Sequence, residues 1–396
     1  MKDFSIKFIN HACFSIEKNN EMIIVDPWFF GNVFNNAWSL LKKTENIDLS
    51  KLKYIFITHE HPDHLHWPTL KYIKENSKQE IYVVVAFRKN KNIIENLRKM
   101  GFKCSEILPN KEYKINNFLR VSNYPTTYDS AYVFVVDDKV ILNQNDCQLS
   151  SQQCYAIKTK YPTIDVWWMQ FSLAGYYANC DDFDGLKKAR EHHKNLIRRY
   201  SDFFKPEIFV PFASFVYFCK QHNSFLNKWS LTIDEIYKEF KDLPLQLLFY
   251  EDELLFEGFS VRNRENIEKW KEIFETEKTI LGHRLVDDHN IIIAAQKMLD
   301  SVQSTSYLSR PEEIIFEFYD KENFFKINCR EATCSFTERT HIDEDKIAAI
   351  LPSDELYSFF KFPWGADTLN ITSCFEVKNV NLWKRMLTFK DALYER

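Results

Sequence analysis

The chain has 396 residues, more than a single hydrophobic core usually serves, so two domains are expected. Apolar residues make up 45% and aromatic residues 16%, with 35 Phe, which excludes a disordered or low-complexity chain. A formal net charge of −4 gives no general electrostatic case for a nucleic-acid partner, and no apolar run approaches membrane-spanning length.

From the N-terminus, short β-like runs come first: "FSIKFI", "CFSIE" and, after the polar turn "KNNE", "MIIVD". "YIFIT" follows as a continuous apolar strand, and "PTLKYIKEN" has the first-turn Pro and apolar spacing of a helix. Next come a strand "IYVVVA", a helix "NIIENLRKM" and the pair "YVFVV" and "KVILN" around a "DDK" turn. "IDVWWMQF" and "EIFVPF" read as buried strands flanking the long helix "DGLKKAREHHKNLIRRYSDFF". Apolar strands alternating with helices predict sheets covered by helices. From about residue 265 the text turns to charged amphipathic helix, then β-like "EIIFEFYD" and "FFKINC", then "DELYSFFKF". The expected division is therefore 1–264 and a smaller α+β domain, 265–396. The N-terminal "MKDFSIKFINHACF" lacks a signal peptide's apolar core, and nine singly scattered cysteines without C-x-x-C read as reduced thiols. A cytoplasmic location is expected.

The densest chemistry lies in "FITHEHPDHLH", residues 56–66. Five polar side chains, His59, His61, Asp63, His64 and His66, crowd the loop at the carboxyl end of an apolar strand, where α/β folds commonly hold ligands. Imidazole and carboxylate are ligands for zinc, iron or manganese. In H-x-H-x-D-H the first two histidines can face one metal while the Asp-His pair turns toward a second.

"THEHPDH" resembles the signature of the metallo-β-lactamase superfamily, and other residues fit that family in order: His11 in "NHACFSIE", Asp26 in "IIVDPW", Asp146 in "ILNQNDC" and His222 in "FCKQHNS". The resemblance implies an α/β fold, the metallo-β-lactamase αββα sandwich, with a centre for two divalent metal ions at the edge of its sheets. It implies that His59 and His61 hold the first ion and Asp63 and His64 the second, that Asp146 bridges, and that His222 completes the second site. His11 and Asp26 would support the ligands without binding metal. Asp63 and Asp146 are the carboxylates expected to act in catalysis.

A narrower resemblance joins "HACFSIEKNNEMIIVDPWFFGNVFNNAWSLL", "YIFITHEHPDHLHWPTL", "KVILNQNDC" and "PEIFVPFASFVYFCKQH" to the catalytic part of the CMP-N-acetylneuraminic acid hydroxylase family. It implies an iron oxygenase acting on a polar, anionic, nucleotide- or sugar-linked small molecule. That family opens with a Rieske domain held by two Cys and two His. Nothing before residue 59 supplies such a set, so a separate electron-transfer protein is expected. The superfamily's third histidine, due before Asp146, is replaced by "NYPTTYDSAY". Asp129 is the substitute candidate there, with turn capping as its equal alternative. Zinc or manganese hydrolysis of a phosphodiester, ester or amide is the competing reading, and a non-catalytic binding module the third. His66 reads as a helix-start residue, His192 and His193 as a solvated face, and the basic helix around Arg190 and Arg198 as surface or an anion cradle. The C-terminal domain shows no catalytic constellation and fits substrate covering, homodimer formation or partner docking.

Overall fold

A computed structural model describes residues 4–45, 47–87, 91–302 and 313–394. Two six-stranded sheets form the larger body. The first runs Phe4–Asn10, Cys13–Lys18, Glu21–Val25, Leu52–Ile57, Tyr82–Ala86, Lys103–Ile107 in spatial order. It opens as an antiparallel meander, because the turn at Asn19 and Asn20 reverses the chain within two left-handed residues. It continues in parallel once helices carry the crossovers. The second sheet mirrors this, with Ile208–Phe212, Val166–Gln170 and Lys139–Asn145 parallel and Ser130–Val136, Leu119–Pro125 and Glu112–Lys114 antiparallel.

The inner faces meet in one core. Phe14 stacks on Trp168 at 5.0 Å and Phe56 meets Phe134 edge-on at 5.3 Å. The strands alternate: Ile24, Ile55 and Val83 point the other way, onto Leu70 and Ile73 of the helix Trp67–Asn76 and Leu97 of the helix Asn92–Lys99. On the far side the helices Ser151–Lys160 and Phe183–Phe204 cover the second sheet with Ile157, Ile197, Tyr200 and Phe204. These layers are the αββα sandwich.

The division between the bodies falls later than residue 264. The helix Ser260–Glu275 runs through that point, and its Trp270 belongs to the first core, stacked on Phe215 at 4.3 Å with its indole N–H donated to Leu248 O. The charged text that suggested a boundary is the helix's solvent face. The second core begins at Val286. It packs a five-stranded sheet, ordered Thr333–Thr337, Phe324–Asn328, Ile314–Phe318, Ile347–Leu351, Glu376–Val377, against helices including Ser353–Lys361 and Gly365–Thr372.

The bodies are joined through buried polar groups. Lys220, 3% exposed, donates to Asp354 Oδ2 at 2.9 Å and Glu355 Oε1 at 2.8 Å. Burial works against the charge on Lys220, but its two carboxylates outweigh that and raise its pKa; Asp354 is held down at about 2, burial opposing and His283 and Lys220 prevailing. Asn223 donates to both Ala37 O at 3.0 Å and Thr372 O at 2.8 Å.

Candidate metal centre

The strands end together along one edge of the sandwich, and left-handed residues mark the ends. His11, Asp26, Asn145 and Ala213 have φ of 25°, 44°, 46° and 47°. Such values are strained for residues other than glycine and cluster where side chains must be aimed. Ala213 N donates to His11 O at 2.9 Å, tying the two sheets at this point.

Asp26, fully buried, organises the histidine loop. Its carboxylate accepts from Thr58 N at 2.8 Å, Thr58 Oγ1 at 2.6 Å and His64 Nδ1 at 2.8 Å. That contact gives His64 its proton on Nδ1 and turns Nε2 inward as a free donor atom. His64 Nε2 stands 3.4 Å from Asp63 Oδ2 and 3.5 Å from Asp146 Oδ2. His11 Nε2 lies 3.0 Å from the same Asp63 oxygen.

Beside this group is a second. His59 Nε2 approaches His61 Nδ1 to 2.9 Å and Asp146 Oδ2 to 3.5 Å, while Asp129 Oδ1 is 3.7 Å from the former and 3.6 Å from the latter nitrogen. Ligand atoms on a tetrahedral ion at roughly 2.0–2.1 Å lie about 3.3 Å apart, the scale of these separations. Two sets thus emerge, His59/His61/Asp129/Asp146 and His11/Asp63/His64, each with donor atoms within 4.8 Å of one another. Asp146 reaches both through His59 and His64.

Four atoms of these residues also lack a partner, which suits metal binding. His11 Nδ1, His64 Nε2, Asp63 Oδ1 and Asp146 Oδ1 are buried without a hydrogen-bond partner. Leaving such atoms unmatched is costly, and a cation would satisfy the inward-facing ones. Charge is correspondingly concentrated. Burial opposes ionisation of Asp63 and Asp146, yet His64 with His11 holds Asp63 far below the carboxylate range, and His59 with His64 does the same for Asp146. Burial likewise disfavours a charged His64 and His61, but Asp146, Asp63 and Asp26 raise His64, and Asp367 raises His61 to about 9. Asp129 is pushed up by burial and then by Asp146.

Several sequence expectations place differently. His222 is not brought to this edge. After Ala213 the chain forms Val216–Phe218, which pairs with Trp38–Leu40, and residues 219–223 are then drawn to the C-terminal body, Lys220 donating to Asp354 and Glu355 and Asn223 to Thr372 O. His222 stacks on Tyr319 at 4.0 Å and lines a cleft of about 350 Å³ with Gln221, Lys228 and Glu376. The second set instead contains His11, which was expected only to support it. His193 is buried, not solvated, and shares a hydrogen bond with Tyr177 OH at 2.8 Å. His66 caps the Trp67–Asn76 helix, accepting from Thr69 N. The basic helix spends its guanidinium groups on structural acids, Arg190 on Glu235 and Arg198 on Asp242, rather than on the metal edge. One residue carried no sequence signal: Asp367, from the C-terminal body, reaches His61 Nε2 at 3.0 Å.

Fold and site define a class. The larger body is a metallo-β-lactamase-fold domain, and the family model described as a beta-lactamase superfamily domain matches residues 5–146. A metal-dependent enzyme is the kind of protein this describes. Among individual proteins, the chain is similar to cytidine monophosphate-N-acetylneuraminic acid hydroxylase of Xenopus laevis, 25% identical over 243 residues, 56% of this chain and 39% of the relative. The Gorilla gorilla gorilla protein of the same name is 24% identical over 238 residues, again 56% and 39%. The chain thus spans well under half the length of these relatives. Among solved structures, it is similar to CmlA, a diiron beta-hydroxylase from Streptomyces venezuelae, at 14% identity and a TM-score of 0.45, covering 64% of this chain and 54% of that one. Igni18, a metallo hydrolase from Ignicoccus hospitalis, matches at 17% identity and a TM-score of 0.45, covering 64% and 99%. No helix among the described residues is long and apolar enough to cross a membrane.

Proposed function

We propose that the chain is a dinuclear non-haem iron oxygenase that hydroxylates a polar, anionic small molecule, nucleotide- or sugar-linked. The observation that carries it is the Asp129 carboxylate, which faces His59 and His61 and is the candidate substitute for the superfamily's third histidine. With it the candidate ligands comprise His11, His59, His61, His64 and the carboxylates Asp63, Asp129 and Asp146. A carboxylate-rich mixture with imidazole suits iron or manganese better than an all-histidine pocket would. Irons held by these residues would supply the redox chemistry for hydroxylation of a C–H bond by dioxygen. The protein's own part is to hold the ligands in register: Asp26 fixes the His64 tautomer, Asp146 links the two sets, and the left-handed turns aim His11 and Asp146 inward. The hydroxylase relatives support the reaction and the substrate class. A separate electron-transfer protein would deliver the reducing electrons.

The test is metal content by mass spectrometry on protein expressed with iron and zinc both supplied and purified without oxygen. It is followed by oxygen uptake with a chemical reductant and CMP-linked sugar acids. About two irons per chain with a hydroxylated product is the expected result. Zinc or manganese alone, with turnover of phosphodiesters, would move the same residues to hydrolysis. No bound metal under any supply would remove the enzyme reading.

A further inference from the structure

An imidazole that binds a metal through one nitrogen carries its proton on the other, and what that proton meets sets the ring's tautomer and plane. His61 presents Nδ1 to the centre, 2.9 Å from His59 Nε2 and 3.6 Å from Asp129 Oδ1. Its Nε2 points away, 3.0 Å from Asp367 Oδ2. Asp367 lies in the first turn of the helix Gly365–Thr372, in the other body and 306 positions along the chain.

That helix is fixed independently of the contact. Asn223 donates to Thr372 O and Tyr176 N donates to Asn370 O at 2.8 Å, while Thr372 Oγ1 donates to Glu355, itself bound to Lys220. Its first residue admits no side chain, since a Cβ on Gly365 would sit 2.3 Å from Phe359 O. Asp367 is about one-third exposed, so as a simple ion pair it would contribute little. A carboxylate on a rigid helix aimed at the outward nitrogen of a ligand has a different use.

We propose that Asp367 is a positioning residue for the metal centre: it holds His61 in the Nε2-protonated tautomer, so the centre is complete only when the C-terminal body is docked. The inference rests on the reading that His61 is a metal ligand.

The test uses the full chain, with zinc and cobalt(II) alone as probes, in wild type, Asp367→Asn, Asp367→Ala and His61→Ala. Zinc affinity is read against a chromophoric chelator, ligand geometry from cobalt absorption, and fold integrity from urea unfolding of the metal-free protein. Asp367→Ala is expected to weaken one zinc by about 10- to 100-fold and shift the cobalt spectrum, with the metal-free midpoint unchanged. Asp367→Asn should fall between, its amide oxygen still accepting from Nε2–H without the charge. Wild-type affinity and spectrum in Asp367→Ala, with metal lost in His61→Ala, would overturn the role of Asp367 and leave the centre standing. Wild-type binding in His61→Ala would overturn both. Affinity lost only in step with metal-free stability, the cobalt spectrum being normal, would make Asp367 structural and likewise overturn the proposal.

Discussion

Lys220→Met tests what locks the bodies together. The ammonium sits 2.9 and 2.8 Å from two carboxylates, with all three side chains at most 8% exposed. At an effective dielectric near 20 each pair attracts by ~6 kcal/mol, and withdrawing each ion from water cancels several kcal/mol of that. The net value of the cluster is therefore modest, but its half-removal is not. Methionine fills similar volume and leaves Asp354 and Glu355 facing each other, with His283 at 3.1 Å as the nearest remaining partner of Asp354. Breaking a buried pair this way costs ~3–5 kcal/mol. Urea unfolding followed by tryptophan fluorescence should show that loss in the transition of the C-terminal body, where Trp383 is buried. Adding Glu355→Gln to Lys220→Met should recover part of it, because a buried anion is removed. A loss below ~1 kcal/mol for the single variant, or no recovery in the double, would refute the reasoning.

Two further outcomes follow from the site and the core. His222→Ala should leave metal content at the wild-type level, since the ring stacks on Tyr319 away from both ligand sets; metal analysis showing one ion lost would restore it as a ligand. Burial, with His192 adding to it, holds the His193 pKa down at about 4, so the native state keeps it neutral while the unfolded chain protonates near 6.5. The unfolded state then binds the extra proton between those values: this stability is full above pH 6.5 and lost as pH falls toward 4, ~3 kcal/mol in all. Denaturant titrations of wild type and His193→Gln should converge by that amount on acidification, and parallel pH curves would refute the assignment.

How much of this was legible in the sequence depends on how local each signal is. The histidine loop needs only an apolar strand followed by ligand types, and sheets covered by helices need only alternation, so both could be read; the αββα order came from the family resemblance. Asp129 could be read as turn former or ligand, and the two readings fall on different parts of the residue. Its backbone closes the turn, Thr126 N donating to Asp129 O at 2.9 Å, while its carboxylate faces His59 and His61. His222 misled because its motif order fits, but strand pairing with Trp38–Leu40 directs the following residues elsewhere. Asp367 was invisible: an aspartate in the first turn of a helix reads as a match to the helix dipole, and only tertiary docking brings it to His61. The boundary failed for a similar reason, since one buried Trp270 on an otherwise charged helix decides which core that helix joins.

The left-handed residues that finish the strands bear on how such a protein could be made hardier. At Ala213 a glycine would relieve about 1 kcal/mol or more of backbone strain at the loss of one methyl group. The same exchange at His11 or Asp26 gives similar relief and deletes a ligand candidate or the anchor of His64. At Asp26 the three buried hydrogen bonds lost would outweigh that relief, so Ala213 is the position where strain can be relieved without disturbing the centre.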